Sequence, residues 1–236
     1  MNGDLERNGF AIAPDVMDES TITELLEEFA WRAGDAEGAA GHGLYALRNL
    51  LQAVPAVCEL AASQAVRTLV EPFLGRDCFA VRAIYFDKMP DANWKVPWHQ
   101  DLSIAVAERR DVEGFGHWSQ KAGVAHAQAP ASLLERMLTV RLHLDRCDRT
   151  NGPLRVLPGT HRYGKLKPGE IERLRAEVPE TVCEVERGGA MLMRPLLLHA
   201  SSSAQSAHHR RVIHIEYAAE PLPDVLAWYE TVPGSS

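Results

Sequence analysis

The stretch Val96-Pro97-Trp98-His99-Gln100-Asp101-Leu102 places an imidazole and a carboxylate two positions apart in a segment of β-forming residues. On a β-strand, residues i and i+2 point to the same face of the sheet. We therefore expect His99 and Asp101 to lie side by side, where both could bind one metal ion. A third candidate ligand is His199, which follows the apolar run Leu196-Leu197-Leu198.

Two histidines and one carboxylate on one side of an ion leave its other coordination positions open, as in the facial triad of non-haem Fe(II) oxygenases. The chain contains 10 histidines, however, and a second His-x-Asp pair occurs at His143 and Asp145. A single histidine on a strand is more often a structural residue with satisfied hydrogen bonds than a metal ligand. The spacing alone therefore does not decide which pair is the primary site.

The composition is typical of a globular protein of ordinary size. The 236 residues suit one domain, and no apolar run approaches the roughly 20 residues that cross a bilayer. The net charge of -7 argues against a nucleic-acid partner, which requires a basic surface for the phosphates. The 4 cysteines are scattered and the N-terminus is polar, so we expect a reducing, cytoplasmic location.

The single domain, 1–236, divides into an N-terminal helical part, about residues 1–78, and a β core over about 79–220. A short strand is predicted over 9–14. Apolar residues then recur at helical spacing after the acidic start at 18–21, which predicts a helix that ends near Gly34. A loop is predicted over 35–43, and a second helix over 57–74.

From Cys78 onward, short runs of β-forming residues alternate with turn signals, which predicts a sandwich or barrel. Asn151-Gly152 is the strongest of these turn signals. Residues 107–131 are predicted as a long connection of the kind that often forms a functional lid. The predicted strands cover residues 79–86, 96–106, 137–144, 154–157, 182–185, 190–193 and 212–218.

Three segments together resemble the phytanoyl-CoA dioxygenase family of Fe(II)/2-oxoglutarate-dependent oxygenases. They are Trp98-His99-Gln100-Asp101-Leu102, the run from Asn151-Gly152-Pro153 to Pro158-Gly159-Thr160-His161, and His199 with Arg210 eleven residues on. The resemblance implies a mainly β protein with flanking helices, built on a double-stranded β-helix core of the jelly-roll, cupin-like type. It also selects between the two His-x-Asp pairs, because His99 and Asp101 match the family's first two ligands.

The resemblance further implies the cofactors and the residues that bind them. Fe(II) would be bound by His99, Asp101 and His199. The cosubstrate 2-oxoglutarate would be bound by Arg210, whose guanidinium suits a carboxylate, and by Ser201. O2 would be the second cosubstrate, and no catalytic residue beyond the metal centre is predicted.

Other basic residues are candidates for a substrate or cosubstrate pocket. Arg141 stands where relatives often carry an aromatic residue, which indicates an anionic group nearby, although an exposed or internally paired arginine is an equal alternative. His143 would line the cavity or simply pack, and Arg211 should point to the strand face opposite Arg210. The remaining candidates are Arg48, Arg82, Lys121 and His126.

The resemblance implies hydroxylation of an unactivated C–H bond in a small-molecule metabolite, with release of succinate and CO2. Desaturation, epimerisation and ring formation stay open, because they depend on how the substrate is placed. Two alternatives of other classes are a cupin-like metal enzyme that does not use 2-oxoglutarate and a non-catalytic jelly-roll binding module. We expect a monomer or homodimer without a membrane or nucleic-acid partner.

Overall fold

The computed structural model describes residues 2–40, 46–88, 95–205, 208–223 and 225–234. Its core consists of two antiparallel sheets. The large sheet contains, in spatial order, β1 (Phe10–Ala13), β11 (Ala190–Met193), β8 (Met137–His143), β13 (Arg210–Ala218), β3 (Phe79–Lys88) and β2 (Ala46–Leu47). The small sheet contains β10 (Thr181–Cys183), β9 (Leu154–Val156), β12 (His199–Ser201) and β4 (Val96–His99).

Eight of these strands follow the order of a double-stranded β-helix, in which the chain crosses between the two sheets at every step except that from β9 to β10. Strands β1 and β2 extend the large sheet at its two edges. Met191 and Met193 of the large sheet pack against Leu154 and Val156 of the small sheet, so that the two inner faces share an apolar layer. The predicted fold class, a mainly β jelly roll with flanking helices, is confirmed.

The helices cover the outer face of the large sheet. Along β13, Ile213, Ile215 and Tyr217 join the apolar cluster that includes the helical residues Ile22 and Val66. Because side chains alternate along a strand, the intervening residues of β13 face the barrel interior. The helices are α1 (Asn2–Asn8), α2 (Glu19–Ala40), α3 (Leu50–Ala53), α4 (Pro55–Ala62), α5 (Gln64–Leu74), α6 (Ala131–Leu134) and α7 (Pro168–Glu177).

Two helix boundaries differ from the prediction. The segment 57–74, predicted as one helix, is two helices that meet at Ser63, whose hydroxyl accepts a hydrogen bond from the Val66 N–H at 3.4 Å and caps α5. Helix α2 continues to Ala40, so the loop predicted over 35–43 is helical as far as that residue, and 41–43 lie outside the described residues.

The prediction of one continuous strand over 96–106 is wrong, because the segment contains two strands and the chain leaves the small sheet after His99. The side-chain amide of Gln100 donates to the carbonyls of Gly164 (2.8 Å) and Leu196 (2.7 Å) and accepts from the Leu166 N–H (2.8 Å). These three bonds hold Gln100 in the bend. The chain then starts β5 (Ser103–Val106) in a separate sheet.

The prediction of a long connection over 107–131 is also wrong. This segment contains β6 (Gly116–Lys121) and β7 (Val124–Gln128), which form a three-stranded sheet with β5 in the order β5-β7-β6. The turn between β6 and β7 consists of Ala122 and Gly123, both at positive φ (49° and 79°), as two-residue hairpins require. We call this three-stranded unit the accessory sheet.

None of the helices that the structure describes has both the length and the hydropathy needed to cross a bilayer. The four cysteines are free, and three of them, Cys78, Cys147 and Cys183, are buried.

Candidate active site

His99 and His199 lie opposite each other on neighbouring antiparallel strands of the small sheet. His99 ends β4, His199 begins β12, and the two residues are partners in the strand register. Directly opposed residues of such a pair lie about 5 Å apart, and here the ring centroids are 4.2 Å apart with an interplanar angle of 51°. Two distant parts of the chain thus bring two imidazoles to one point.

Asp101 completes a group of three candidate ligands. Its carboxylate oxygens lie 3.6 Å from Nε2 of His99 and 3.6 Å from Nε2 of His199. The expectation that His99 and Asp101 share one strand is wrong, because β4 ends at His99. Instead, the Asp101 N–H donates to the Pro195 carbonyl at 2.9 Å, which holds the carboxylate near the start of β12.

Both histidines present Nε2 with a free lone pair. Nδ1 of His99 lies 2.8 Å from the Pro97 carbonyl oxygen, and Nδ1 of His199 lies 2.9 Å from the Leu197 carbonyl oxygen. Because a carbonyl only accepts, Nδ1 carries the proton of each neutral ring and Nε2 is left for a cation. Burial lowers the pKa of His199 to about 4, so its ring is neutral at pH 7.

The carboxylate of Asp101 is ionised at neutral pH. Burial raises its pKa, but the two imidazoles beside it favour the charged carboxylate, outweigh burial and hold that pKa well below its usual value. One ligand atom from each of the three side chains lies within 4.8 Å of the others. Two imidazole nitrogens and one carboxylate on one side of an ion suit Fe(II) and leave coordination positions open for reactants.

Three buried cationic side chains lie on the inner face of the large sheet. Lys88 on β3 is the register partner of Arg210 on β13, and Arg141 lies on the next strand, β8. Their exposed fractions are 0% for Lys88, 3% for Arg210 and 7% for Arg141. Burial and the charge of Arg210 lower the pKa of Arg141 to about 10 and that of Lys88 to about 7. We call these three residues the Arg210 cluster.

Buried polar atoms without partners concentrate in the same region. Among the described residues, seven buried side-chain atoms have no hydrogen-bond partner, and five of them belong to Thr139, Arg141, His143 and Arg210. These four residues face the interior from β8 and β13. A buried polar atom without a partner costs free energy, so this concentration indicates a binding site for a polar molecule.

Ser201 borders the Arg210 cluster from the small sheet. Its hydroxyl donates to the Gly152 carbonyl at 3.0 Å and accepts from Nζ of Lys88 at 2.9 Å. Gly152 has a φ of +74°, and a Cβ there would lie 2.6 Å from the Ser202 carbonyl oxygen. The turn predicted at Asn151-Gly152 therefore requires glycine, and it brings the backbone against Ser201 and Lys88.

The strand geometry distinguishes Arg211 from Arg210, and the second His-x-Asp pair from the metal-ligand group. Arg211 lies on the face opposite Arg210 and pairs with Asp145 at 2.7 Å. His143 is buried near Arg141 and Arg210, whose charges act with burial to lower its pKa. Within the described residues, His143 belongs to no group of ligands that could hold a metal.

A chain of buried hydrogen bonds crosses the large sheet beside the metal-ligand group. Arg82 donates to Oε1 of Glu216 at 3.0 Å, Nε2 of His214 lies 3.3 Å from the same oxygen, and Arg141 lies 2.8 Å from Nδ1 of His214. Because a guanidinium only donates, Nδ1 of His214 accepts and Nε2 carries the proton. This tautomer lets His214 donate to Glu216.

The sequence analysis did not identify three residues of the site, which are Lys88, His214 and Glu216. His214 and Glu216 alternate with Arg210 along β13, and Lys88 alternates with Arg82 along β3. This period of two is the signal that would have placed all three on the inner face.

The other four predicted pocket residues, Arg48, Arg82, Lys121 and His126, lie together, and we call them the Arg82 cluster. Arg82 donates to the Ser103 carbonyl at 3.3 Å, which fixes the accessory sheet over β3. Burial and the charges of Arg82 and Arg48 lower the pKa of Lys121. The structure thus brings these four residues together and places Arg141 apart from them, in the Arg210 cluster.

The sequence matches the model of the family described as phytanoyl-CoA dioxygenase (PhyH) over residues 5–212. The peroxisomal phytanoyl-CoA dioxygenase of Rattus norvegicus is 27% identical over 184 residues, which are 71% of this chain and 46% of that protein. The chain therefore spans about half the length of the curated relatives that it matches.

Solved structures share the fold. AviO1 from Streptomyces viridochromogenes Tue57 aligns with a TM-score of 0.67 at 23% identity, over 94% of this chain and 96% of that chain. EctD from S. alaskensis, whose crystal structure contains bound Fe, aligns with a TM-score of 0.72 at 17% identity, over 94% of this chain and 77% of that chain. At these identities the likeness shows the architecture.

Proposed function

Because the chain belongs to the phytanoyl-CoA dioxygenase family of Fe(II)- and 2-oxoglutarate-dependent oxygenases, we propose that it hydroxylates an unactivated C–H bond of a small-molecule metabolite. In this proposal His99, Asp101 and His199 bind Fe(II). The observation that carries it is the placement of buried, unsatisfied cationic donors beside this ligand group in one barrel.

Iron held by these three residues would supply, with 2-oxoglutarate and O2, the oxidising chemistry of a reaction that gives succinate, CO2 and a C–OH group in place of the C–H bond. The chain's own residues bind and orient the reactants. Arg210 would pair with a carboxylate of 2-oxoglutarate, and Ser201 would contact the same group. Arg141 offers a second guanidinium to the dianion, and burial strengthens both pairings because it excludes water.

The proposal is tested by anaerobic titration of the metal-free protein with Fe(II) and then with 2-oxoglutarate. We expect stoichiometric iron binding, followed by a weak visible charge-transfer band when the cosubstrate chelates the metal. Iron binding without the band would favour the cupin-like enzyme that does not use 2-oxoglutarate. Absence of iron binding would favour the non-catalytic module. A product heavier by one oxygen atom, formed together with succinate, identifies hydroxylation.

His143→Ala is expected to leave iron binding intact, because no described carboxylate joins His143 in a ligand group. The resulting cavity should lower the free energy of unfolding by about 2 kcal/mol or more. Anaerobic iron titration and thermal unfolding measure the two effects separately. His199→Ala is the matched control and should lose iron. Loss of iron in His143→Ala instead would show that the metal site belongs to the pair His143 and Asp145.

The affinity for 2-oxoglutarate is expected to fall as the pH rises above 7. Burial and the charge of Arg210 set the pKa of Lys88 at about 7, so the ammonium of the free protein loses its proton from that pH upward. A bound dianion favours the charged ammonium, so binding above pH 7 takes up a proton. The dissociation constant then rises by up to about tenfold per pH unit. Anaerobic titrations between about pH 6 and pH 9 measure it.

The control for this pH dependence is Lys88→Met, which keeps most of the side-chain volume and removes the amine. We expect this variant to bind 2-oxoglutarate more weakly at pH 6.5 and with little change up to pH 9. A variant that retained the wild-type pH profile would show that another group titrates.

We further propose that residues 1–236 form a single domain and that the protein acts in the cytoplasm as a monomer or homodimer. One apolar cluster joins residues of the N-terminal helices, such as Leu25 and Val57, to residues of the jelly roll, such as Leu138 and Ile215. The four free thiols suit a reducing compartment.

A further inference from the structure

The Arg82 cluster lies on the other side of the His214–Glu216 pair from the Arg210 cluster. Arg82 faces the interior from β3, and Arg48 follows β2, which pairs with β3 at Leu47 and Tyr85. Lys121 ends β6 and His126 lies on β7 of the accessory sheet. Elements from three parts of the fold thus bring basic side chains to one place.

This cluster carries more positive than negative charge. Glu216 is the one carboxylate in the described part of the chain that pairs with it, through Arg82, and its Oε1 also accepts from His214. The side chains of Arg48 and Lys121 make no hydrogen bond or ion pair with any described residue. Two guanidiniums and an ammonium therefore share one directly paired carboxylate, and the charges of Asp101 and Glu230 act on the cluster without pairing with it.

Repulsion between these cations contributes to the lowered pKa of two of them. Burial and the charge of Arg82 lower the pKa of Arg48. Burial and the charges of Arg82 and Arg48 lower the pKa of Lys121, while Glu216 and Asp101 oppose that shift. An anion between these side chains would relieve the repulsion.

The cluster is close to the candidate metal ligands. Arg82 donates at 3.3 Å to the carbonyl of Ser103, which lies two residues after Asp101 in the chain. His126 adds a ring that is only 2% exposed, with Nδ1 held 3.0 Å from the Val124 carbonyl oxygen. A group bound here would lie beside the metal centre, and the accessory sheet would cover it.

We propose that the Arg82 cluster binds an anionic group of the substrate, a phosphate or a carboxylate, and so holds the substrate next to the metal centre. This inference rests on the proposed function, and it narrows the substrate to anionic metabolites. It separates two anion sites: the Arg210 cluster binds the cosubstrate, and the Arg82 cluster binds the substrate.

The test uses the whole protein loaded anaerobically with Fe(II) and saturating 2-oxoglutarate. Three probes of similar size are phenyl phosphate, benzoate and benzyl alcohol. Paramagnetic broadening of their aromatic proton signals by the iron reports binding near the metal. Lys121→Gln and Arg48→Gln each remove one cation from the cluster. Arg173→Gln is the matched control, because Arg173 is exposed on α7 and pairs with Glu177.

We expect at least one of the two anions to bind near the iron, whereas benzyl alcohol does not. Its Kd should rise by about tenfold or more in Lys121→Gln and Arg48→Gln, the cost of one charged contact, and stay unchanged in Arg173→Gln. The tighter anion identifies the preferred group. Equal binding of benzyl alcohol, no binding by either anion, or anion binding unchanged in both variants would overturn the proposal.

The charge-transfer band of the Fe(II)–2-oxoglutarate complex separates this inference from the proposed function. A normal band in wild type and in both variants, without an effect on the anions, would overturn the inference alone. A band that needs far more 2-oxoglutarate in Lys121→Gln and Arg48→Gln would assign the Arg82 cluster to the cosubstrate and also overturn it. If the wild-type protein gave no band, both the proposed function and this inference would be overturned.

Discussion

Asp101→Ala is expected to abolish turnover while the fold remains intact. Asp101 supplies the one carboxylate of the ligand group, and its oxygens lie 3.6 Å from Nε2 of both histidines. Removal of a residue that only supports a metal ligand costs about 10–100-fold in affinity or activity, so loss of a ligand itself should exceed about 100-fold. Iron titration and succinate formation measure the two losses, and circular dichroism reports the fold.

The matched control for Asp101→Ala is Asp145→Ala, the same change in the second His-x-Asp pair. Asp145 pairs with Arg211 at 2.7 Å, so its loss should reduce stability by about 1 kcal/mol and leave iron binding unchanged. If Asp101→Ala retained turnover, Asp101 would not be a ligand of the metal. Equal loss of iron in both variants would mean that each substitution acts through the fold.

The family and the jelly-roll core were predicted correctly because the motifs and the strand periodicity that indicate them are visible in the sequence. Strand β3 has inner residues such as Arg82 and Ile84 in alternation with buried outer residues such as Ala83 and Tyr85, and this period is visible in the sequence. The approach of His99 to His199 is not local, since it depends on the register of β4 and β12. The family resemblance supplied that pairing, and the spacing alone did not.

The failed predictions have physical causes that a single sequence does not display. Gln100 interrupts the strand predicted over 96–106 through bonds to Gly164, Leu166 and Leu196, which are distant in the chain. The hairpin in the accessory sheet turns at Ala122-Gly123, whereas the usual sequence signal for such a turn is Asn-Gly or Asp-Gly. Tertiary contacts in the first case and an unusual turn residue in the second override local preference.

The Arg210 cluster and the Arg82 cluster place positive charge on two sides of the metal-ligand group. His214 and Glu216 connect them through hydrogen bonds to Arg141 and Arg82. A substrate anion and a cosubstrate dianion would therefore bind to one hydrogen-bonded network. Because a bound anion cancels part of the positive potential at the other cluster, we expect binding of either anion to weaken binding of the second.

Arg210→Ala is expected to raise the Kd of 2-oxoglutarate by about 100-fold or more. Arg210 is 3% exposed, and its Nε has no hydrogen-bond partner among the described residues. Loss of one member of a buried charge pair costs about 2–5 kcal/mol, and about 1.4 kcal/mol corresponds to tenfold. Iron binding should persist, because the guanidinium is not a ligand. The charge-transfer band, recorded against 2-oxoglutarate concentration, gives both quantities.

Arg211→Ala is the control that makes this result specific, since it removes the same group from the neighbouring position. Arg211 lies on the other face of β13 and is paired with Asp145, so its loss should leave the band unchanged. If the two variants exchanged their effects, the inner and outer faces of β13 would be reversed. If neither variant weakened the cosubstrate while iron still bound, Arg210 would have no part in cosubstrate binding. The cupin-like alternative would then explain the metal centre better, because it needs the three ligands and has no use for a buried arginine.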